Sequence, residues 1–337
     1  MKAAIVTQYN KNDLTLKMTT VDKPQITADQ VLLKVSAAGV NPLDNMITRG
    51  EVKLIVPYKL PVIGGNEVVG KIEAVGANVT QFSVGERVFS RLPLDSIGAF
   101  AQYVAVDANA IAKVPPYLSD VQAAAIPLNA LTVMQAFELM QVKKGNTIFI
   151  SGGTGGVGAM AIPLAKAKGL KVITNGSVEN KERVLALGVE RFIDYKTEDY
   201  TQTVANVDYV LDTLGGQETE KQMTIMKKGG QLVSLKGMPN GAFAKRMGFT
   251  GLKRLLFSFA GRKFDKMAQK YGVTYNFIFV QANGAQLTEV AKLFTKLELK
   301  PSLDTVYAFS DVNAALDKVA NGRSRGKTVL DLQQGEK

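Results

Sequence analysis

Residues 151–160 read SGGTGGVGAM, and within them Gly153-Thr154-Gly155-Gly156-Val157-Gly158 fits G-x-G-x-x-G. The run NTIFI before it predicts a strand, and the apolar residues after it predict a helix from about Gly156 to Ala167. Bare backbone at a strand-to-helix junction suits a phosphate. Gly153 permits the tight turn, Gly155 lets backbone approach a pyrophosphate, and Gly158 lets the helix pack close to the strand. The helix N-terminus adds free N–H groups and positive dipole. In this context the loop predicts a dinucleotide site rather than a turn without a ligand.

The next strand, KVITN, selects the cofactor. An NAD site places Asp or Glu at its end for the ribose hydroxyls. Here Thr174, Asn175, Gly176 and Ser177 stand there, and Glu179 lies beyond the strand end. Ser177 and Lys181 can donate to a 2′-phosphate; the alternative is that Lys181 is an ordinary helix-surface lysine. The expected cofactor is NADPH.

The chain has 337 residues, with no cysteine and no histidine. Disulfides, thiolate chemistry, a histidine base and the common N and S metal ligands are therefore excluded. Lys and Arg number 41 against 30 Asp and Glu, a net charge of +11. That charge suits nucleic acid, an anionic membrane surface, an anionic cofactor or a solvated basic face. No RNA-binding motif or aromatic stacking set is present, so nucleic acid is not expected. No apolar run reaches eighteen residues, so no transmembrane segment is expected, and the start MKAAIVTQYN lacks the shape of a signal peptide. These features predict a cytoplasmic protein.

Residues 1 to about 120 contain short strand-like runs such as VLLKVSAAGV, GKIEAVGANV and AQYVAV, and predict a barrel-like β domain. Helical periodicity begins after Pro115-Pro116. From Thr147 strands and helices alternate, which means a parallel sheet wrapped by helices. The terminal pieces, ending in KTVLDL, resemble the β-rich start and are expected to return to it.

The stretches AAGVNPLDNMITRG, GNEVVGKIEAVG, VGERVF, GAFAQY, IPLNALTVMQAF, SGGTGGVG, LDTLGG and GKTVLDL occur in order along nearly the whole chain. Together they resemble the medium-chain dehydrogenase/reductase superfamily, most closely its quinone and enone oxidoreductase branches. The resemblance implies an α/β fold: a GroES-like β-rich catalytic domain over 1–121 and 280–337, plus a Rossmann doubly wound parallel-sheet domain over 122–279. It also implies a homodimer. It places Asn129 and Thr132 near the nicotinamide, Leu214 beside the cofactor, backbone around Phe277 and Phe279 at the carboxamide, Tyr195 on the adenosine phosphate side, and Lys327 approaching the cofactor from the terminal segment.

Zinc-dependent members would carry ligands at Asn41, Asn66 and near Leu128; none of these can serve, so no metal is expected. Reduction of an isolated ketone places charge on oxygen that a zinc ion normally stabilises. A quinone or enone spreads that charge, so hydrogen-bond donors can suffice. Asn41 either donates to the acceptor oxygen or braces the GVNPLD turn. Tyr58 either acts as a donor and proton source or packs. The expected function is zinc-independent, NADPH-dependent reduction of quinones or α,β-unsaturated carbonyls. The alternatives are a reductase of saturated ketones and a weakly catalytic NADPH- or RNA-binding protein.

Residues 241–272 (GAFAKRMGFTGLKRLLFSFAGRKFDKMAQKYG) mix cations with Phe and Leu at helical spacing. They read as a lid, a partner surface, a weak contact with anionic lipid, or helices packing on their own domain with a basic face outward; the last reading and the lid are preferred.

Activity is expected to survive chelator treatment, with no stoichiometric zinc found by elemental analysis. One tight zinc per chain, with activity lost on its removal, would contradict the ligand reading.

Overall fold

The computed structural model describes residues 1–322 and 326–334. The chain divides into two units, one formed by Met1–Leu131 with the segment from Gln281 onward, the other by Thr132–Val280.

In the first unit the strand Gln30–Val40 is the hub. It pairs antiparallel with Glu67–Val75, Tyr103–Asp107 and Lys327–Asp331. Leu303–Ala308 and Arg87–Arg91 followed by Ile111–Lys113 extend the sheet on either side, and Lys2–Val6 centres a small three-stranded sheet. Val31, Leu33, Val68, Ile72, Val88 and Phe100 fill one apolar core. The terminal strand returns in a register that sets Thr328 opposite Val40 and Asp331 opposite Ala37.

The boundary after this unit falls at 131/132, inside the helix Pro127–Met140, rather than at 121/122. The reason is packing. The short helix Asp120–Ala123, capped by Ser119, rests on the strands Gln30–Val40 and Glu67–Val75. The Leu128 N–H is also held by a carboxylate of this sheet. Although Asp120–Met140 is apolar and long enough to cross a membrane, most of it is buried in the protein.

The second unit holds a six-stranded parallel sheet: β1 (Thr147–Ile150), β2 (Lys171–Gly176), β3 (Arg191–Asp194), β4 (Val207–Asp212), β5 (Met226–Ser234) and β6 (Thr274–Phe277). The order is β3-β2-β1-β4-β5-β6. This is the doubly wound dinucleotide-binding order, whose ligand crevice lies beyond the carboxyl ends of β1 and β4, where the strand order reverses. Ile148, Phe149, Val210, Leu211, Leu232 and Val233 are buried, as central parallel strands require.

The glycine loop leaves β1 and enters the helix Gly156–Ala167. Its glycines have separate causes. The left-handed residue is Gly152, at φ +68°, so the tight turn rests there and not on Gly153. Gly153 is bare because a Cβ would lie 2.1 Å from Thr174 Oγ1. At Gly158 a Cβ would lie 2.3 Å from the Gly152 carbonyl oxygen. Gly155 differs: its backbone is extended, and a Cβ would meet nothing closer than Gly152 O at 3.4 Å. The fold tolerates a side chain at Gly155, so space for a ligand is the remaining demand there.

Gly155→Val is therefore expected to keep the native melting temperature while losing dinucleotide binding by calorimetry. A variant with normal affinity would contradict the loop assignment.

Candidate active site

In the first unit, register gathers polar residues from three strands. Thr328 faces Val40, so Lys327 arrives beside Asn41, and Val68 faces Ala38, so Glu67 arrives beside Gly39. Gly39 must be bare, because a Cβ would lie 2.3 Å from Glu67 Oε2 and 2.6 Å from Ala124 O. The Lys327 ammonium is buried, forms an ion pair with Glu67 and donates to Asn41 Oδ1 at 2.5 Å. Asn41 Nδ2 donates to Glu67 Oε2 (3.1 Å) and to Gly39 O (3.3 Å). Glu67 Oε1 accepts from Leu128 N–H (2.8 Å), at the start of the helix Pro127–Met140. Beside this, Asp44 accepts from Asn41 N–H and from Asn66 Nδ2, both at 2.7 Å.

Of the two readings of Asn41, the hydrogen bonds favour the brace. Both amide hydrogens of Asn41 are spent inside the cluster, so it braces the GVNPLD turn and offers no donor to a substrate. Lys327 is buried in the same cluster, held by Glu67 and Asn41.

Arg91 is the residue that sequence reasoning missed. It is fully buried, opposite Glu67 in the strand register. Its Nη1 donates to Leu92 O. Among the described residues, Nε and Nη2 have no partner. Burial pushes its pKa down to about 10, while Tyr58, Asp44 and Glu67 oppose the shift. It remains a cation at neutral pH. Burial pushes the Tyr58 phenol up to about 12, against the pull of Arg91, so Tyr58 stays a neutral donor. Only the unpaired nitrogens of Arg91 signal the site, and they are a product of packing.

Asn129 and Thr132 are buried one turn apart on the helix Pro127–Met140.

In the second unit, hydrogen bonds fix the loops at the ends of β1, β2 and β4. Asn175 Oδ1 accepts from Gly152 N–H (2.8 Å), and Thr213 Oγ1 donates to Ser151 O (2.7 Å). Asp212 is buried and accepts from Leu214 N–H, Gly215 N–H, Thr219, Gln222 and Ser234. Those bonds hold Leu214, which is exposed. Phe277 O accepts from Arg246 Nη2 (2.7 Å), and Phe279 follows the end of β6 half-buried. Ser177 is half-buried just after β2, Lys181 is exposed at the first position of the next helix, and Tyr195 is exposed just after β3. Arg183 Nη2 donates to Thr154 O (3.0 Å), adding a cation beside the glycine loop that the sequence reading did not use. The open space at Gly155, the helix start and these cations fit a phosphorylated dinucleotide.

A zinc ion does not fit the first unit. Asn41 and Asn66 are amides, Leu128 contributes only backbone, and the Lys327 ammonium sits where a cation would need Glu67 and Asn41 as ligands.

Asp44 gives this cluster a pH signature. Burial raises its pKa to about 6, against the pull of Asn66, the Asn41 N–H and Lys327. The unfolded carboxyl titrates near 4. Between about pH 4 and pH 6 the folded state therefore holds a proton that the unfolded state has lost. The corresponding stability is present below pH 4 and is lost as pH rises through 6. Asp44→Asn removes this dependence. Relative to the native chain the variant should gain about 2–3 kcal/mol between pH 4 and pH 7, on top of a constant offset. Denaturant unfolding across that range checks it; a difference that does not change with pH would contradict the assignment.

Residues 27–116 match the alcohol dehydrogenase GroES-like domain, and residues 187–330 match the family described as zinc-binding dehydrogenase. The zinc of that description lacks its ligands here. The chain is 29% identical to NAD(P)H oxidoreductase RTN4IP1, mitochondrial, of Danio rerio, over 100% of this chain and 92% of that protein. It is 30% identical to 2-methylene-furan-3-one reductase of Solanum lycopersicum, over 98% of this chain and 79% of that protein. Among solved structures, the quinone oxidoreductase from Coxiella burnetii superposes with a TM-score of 0.83 at 28% identity, covering 98% and 99% of the two chains. These names support an oxidoreductase role. They also correct the cytoplasmic expectation, because the Danio rerio relative and four others of that name are called mitochondrial. Composition reports what a folded chain can bury, and that is the same in either compartment. Motif order, the doubly wound sheet, the GroES-like match and relatives spanning the chain agree that it belongs to the medium-chain dehydrogenase/reductase superfamily, in its zinc-independent branch.

Proposed function

We propose that the chain reduces a conjugated acceptor, a quinone or an α,β-unsaturated carbonyl compound, at the expense of NADPH. The observation that carries this reading is Arg91, a buried guanidinium with two unpartnered nitrogens beside the neutral Tyr58 phenol. When bound, the nicotinamide supplies the hydride. Arg91 meets the charge that develops on the acceptor oxygen, and it keeps its own proton while doing so. Tyr58 adds a neutral donor. An enolate or hydroquinone anion, whose charge is already spread, suits such donors without a metal. The names of the tomato and Coxiella burnetii relatives describe conjugated acceptors of this kind.

Cofactor choice rests on the end of β2. No carboxylate stands there, and Asn175 Oδ1 is engaged by the loop. Ser177, Lys181 and Arg183 supply donors for a 2′-phosphate, while Glu179 is drawn to Lys196 at 3.2 Å.

The test is kcat/KM with quinones, enones and saturated ketones, for both cofactors. Conjugated acceptors should lead the panel. Arg91→Met should lose about a hundredfold in kcat/KM with the KM for NADPH unchanged. Its stability should hold or rise, because an unpaired buried charge has been removed. Ser177→Ala with Lys181→Ala should lose about tenfold with NADPH and leave NADH unchanged. Efficient turnover of saturated ketones, or a native preference for NADH, would overturn the reading.

A further inference from the structure

The helix Gly251–Tyr271 packs on the second unit by one face only. Phe257, Gly261 and Ala268 are its buried residues. Phe257 stacks on Phe249 and meets Phe243 edge-on. Gly261 fixes the rotation of the helix, since a Cβ there would lie 2.3 Å from Asn240 Cβ. With that face locked inward, Leu252, Leu255, Leu256 and Phe259 point the other way. They are 73%, 67%, 52% and 77% exposed. Their spacing of three and four residues makes one continuous apolar stripe over two turns. Helical spacing alone favours a basic outward face or a lid; the outward face is apolar first and basic after it.

A soluble surface rarely carries such a stripe without a partner. The surrounding charge says which partner. Residues 241–264 contain Lys245, Arg246, Lys253, Arg254, Arg262 and Lys263 and no acidic residue. Arg262, Lys263 and Lys266 are exposed and continue the apolar side of the helix toward its C-terminus. The next acid, Asp265, is held by Asn240 at 2.7 Å. A second copy docking by the same face would bring cations to this stripe and no anions.

We infer that this helix lies in the interface of an anionic bilayer, with Leu252, Leu255, Leu256 and Phe259 among the acyl chains and the cations on lipid phosphates. The inference does not depend on the acceptor proposed above. Membrane contact would hold the protein where apolar acceptors dissolve.

The experiment is vesicle flotation of the full chain, with phosphatidylcholine alone and with one quarter phosphatidylglycerol. The native protein should float with the anionic vesicles only, and high salt should weaken this. Leu255→Glu with Phe259→Glu should reduce binding at least about tenfold. Arg262→Gln, Lys263→Gln and Lys266→Gln together should abolish the preference for anionic lipid. All five residues are exposed, so the melting temperature and the turnover of a water-soluble acceptor should not move. Failure of the native chain to float would overturn the inference. Conversion of a native dimer to monomer by the Glu variant, without vesicle binding, would assign the stripe to a second copy. Loss of soluble-acceptor turnover in that variant would assign it to a lid.

Discussion

A buried cation that cannot leave organises the first unit. Lys327 enters on the last strand and is neutralised by Glu67, with Asn41 completing its shell. Removing one member would strand a charge in the interior, a far larger loss than the net worth of the pair. The terminal strand, the hub strand and the helix that begins at Pro127 are thereby tied at one point. The same commitment consumes the Asn41 amide, while Arg91, opposite Glu67 in the register, keeps Nε and Nη2 without a partner among the described residues.

The second unit uses the same device with a neutral shell. Asp212 takes five donors from its own loop, the following helix and β5. A carboxylate so satisfied is held rigidly, and it presents the LDTLGG turn beyond β4 while Ser151 and Thr213 tie β1 to it. The glycine loop is thus anchored at both sides, and at Gly155 a Cβ would meet nothing closer than Gly152 O at 3.4 Å. In each unit a fully bonded buried carboxylate holds the backbone that borders a site.

Much of this was legible in the residues. Alternation of strands and helices after Thr147 announced the parallel sheet, because a strand buried on both faces needs a continuous apolar run. The terminal strand was expected to return to the β-rich start, and it pairs with Gln30–Val40. The division of glycine roles was half legible. Gly158 has the expected cause, a close approach of backbone, while the left-handed turn sits on Gly152, since a motif spacing does not record φ. The first boundary lay ten residues late, because the helical pattern after Pro115 carries no mark of the sheet on which it packs.

Residue types alone determined that no His or Cys ligand for zinc exists and that the loop after β1 has the glycine spacing of a dinucleotide site, since both depend on atoms a side chain has or lacks. The sequence also determined that cations and apolar residues crowd 241–272. Tertiary structure decided what these groups face. Strand register brought Lys327 to Glu67, residues 260 positions apart, and spent both hydrogens of Asn41. Burial made Arg91 an unpaired cation instead of a surface one. The close approach at Gly261 turned the leucines of the long helix outward. Composition and spacing are local and survive in the string of letters; partners and exposure belong to the folded arrangement, because each is a distance between atoms the chain does not place side by side.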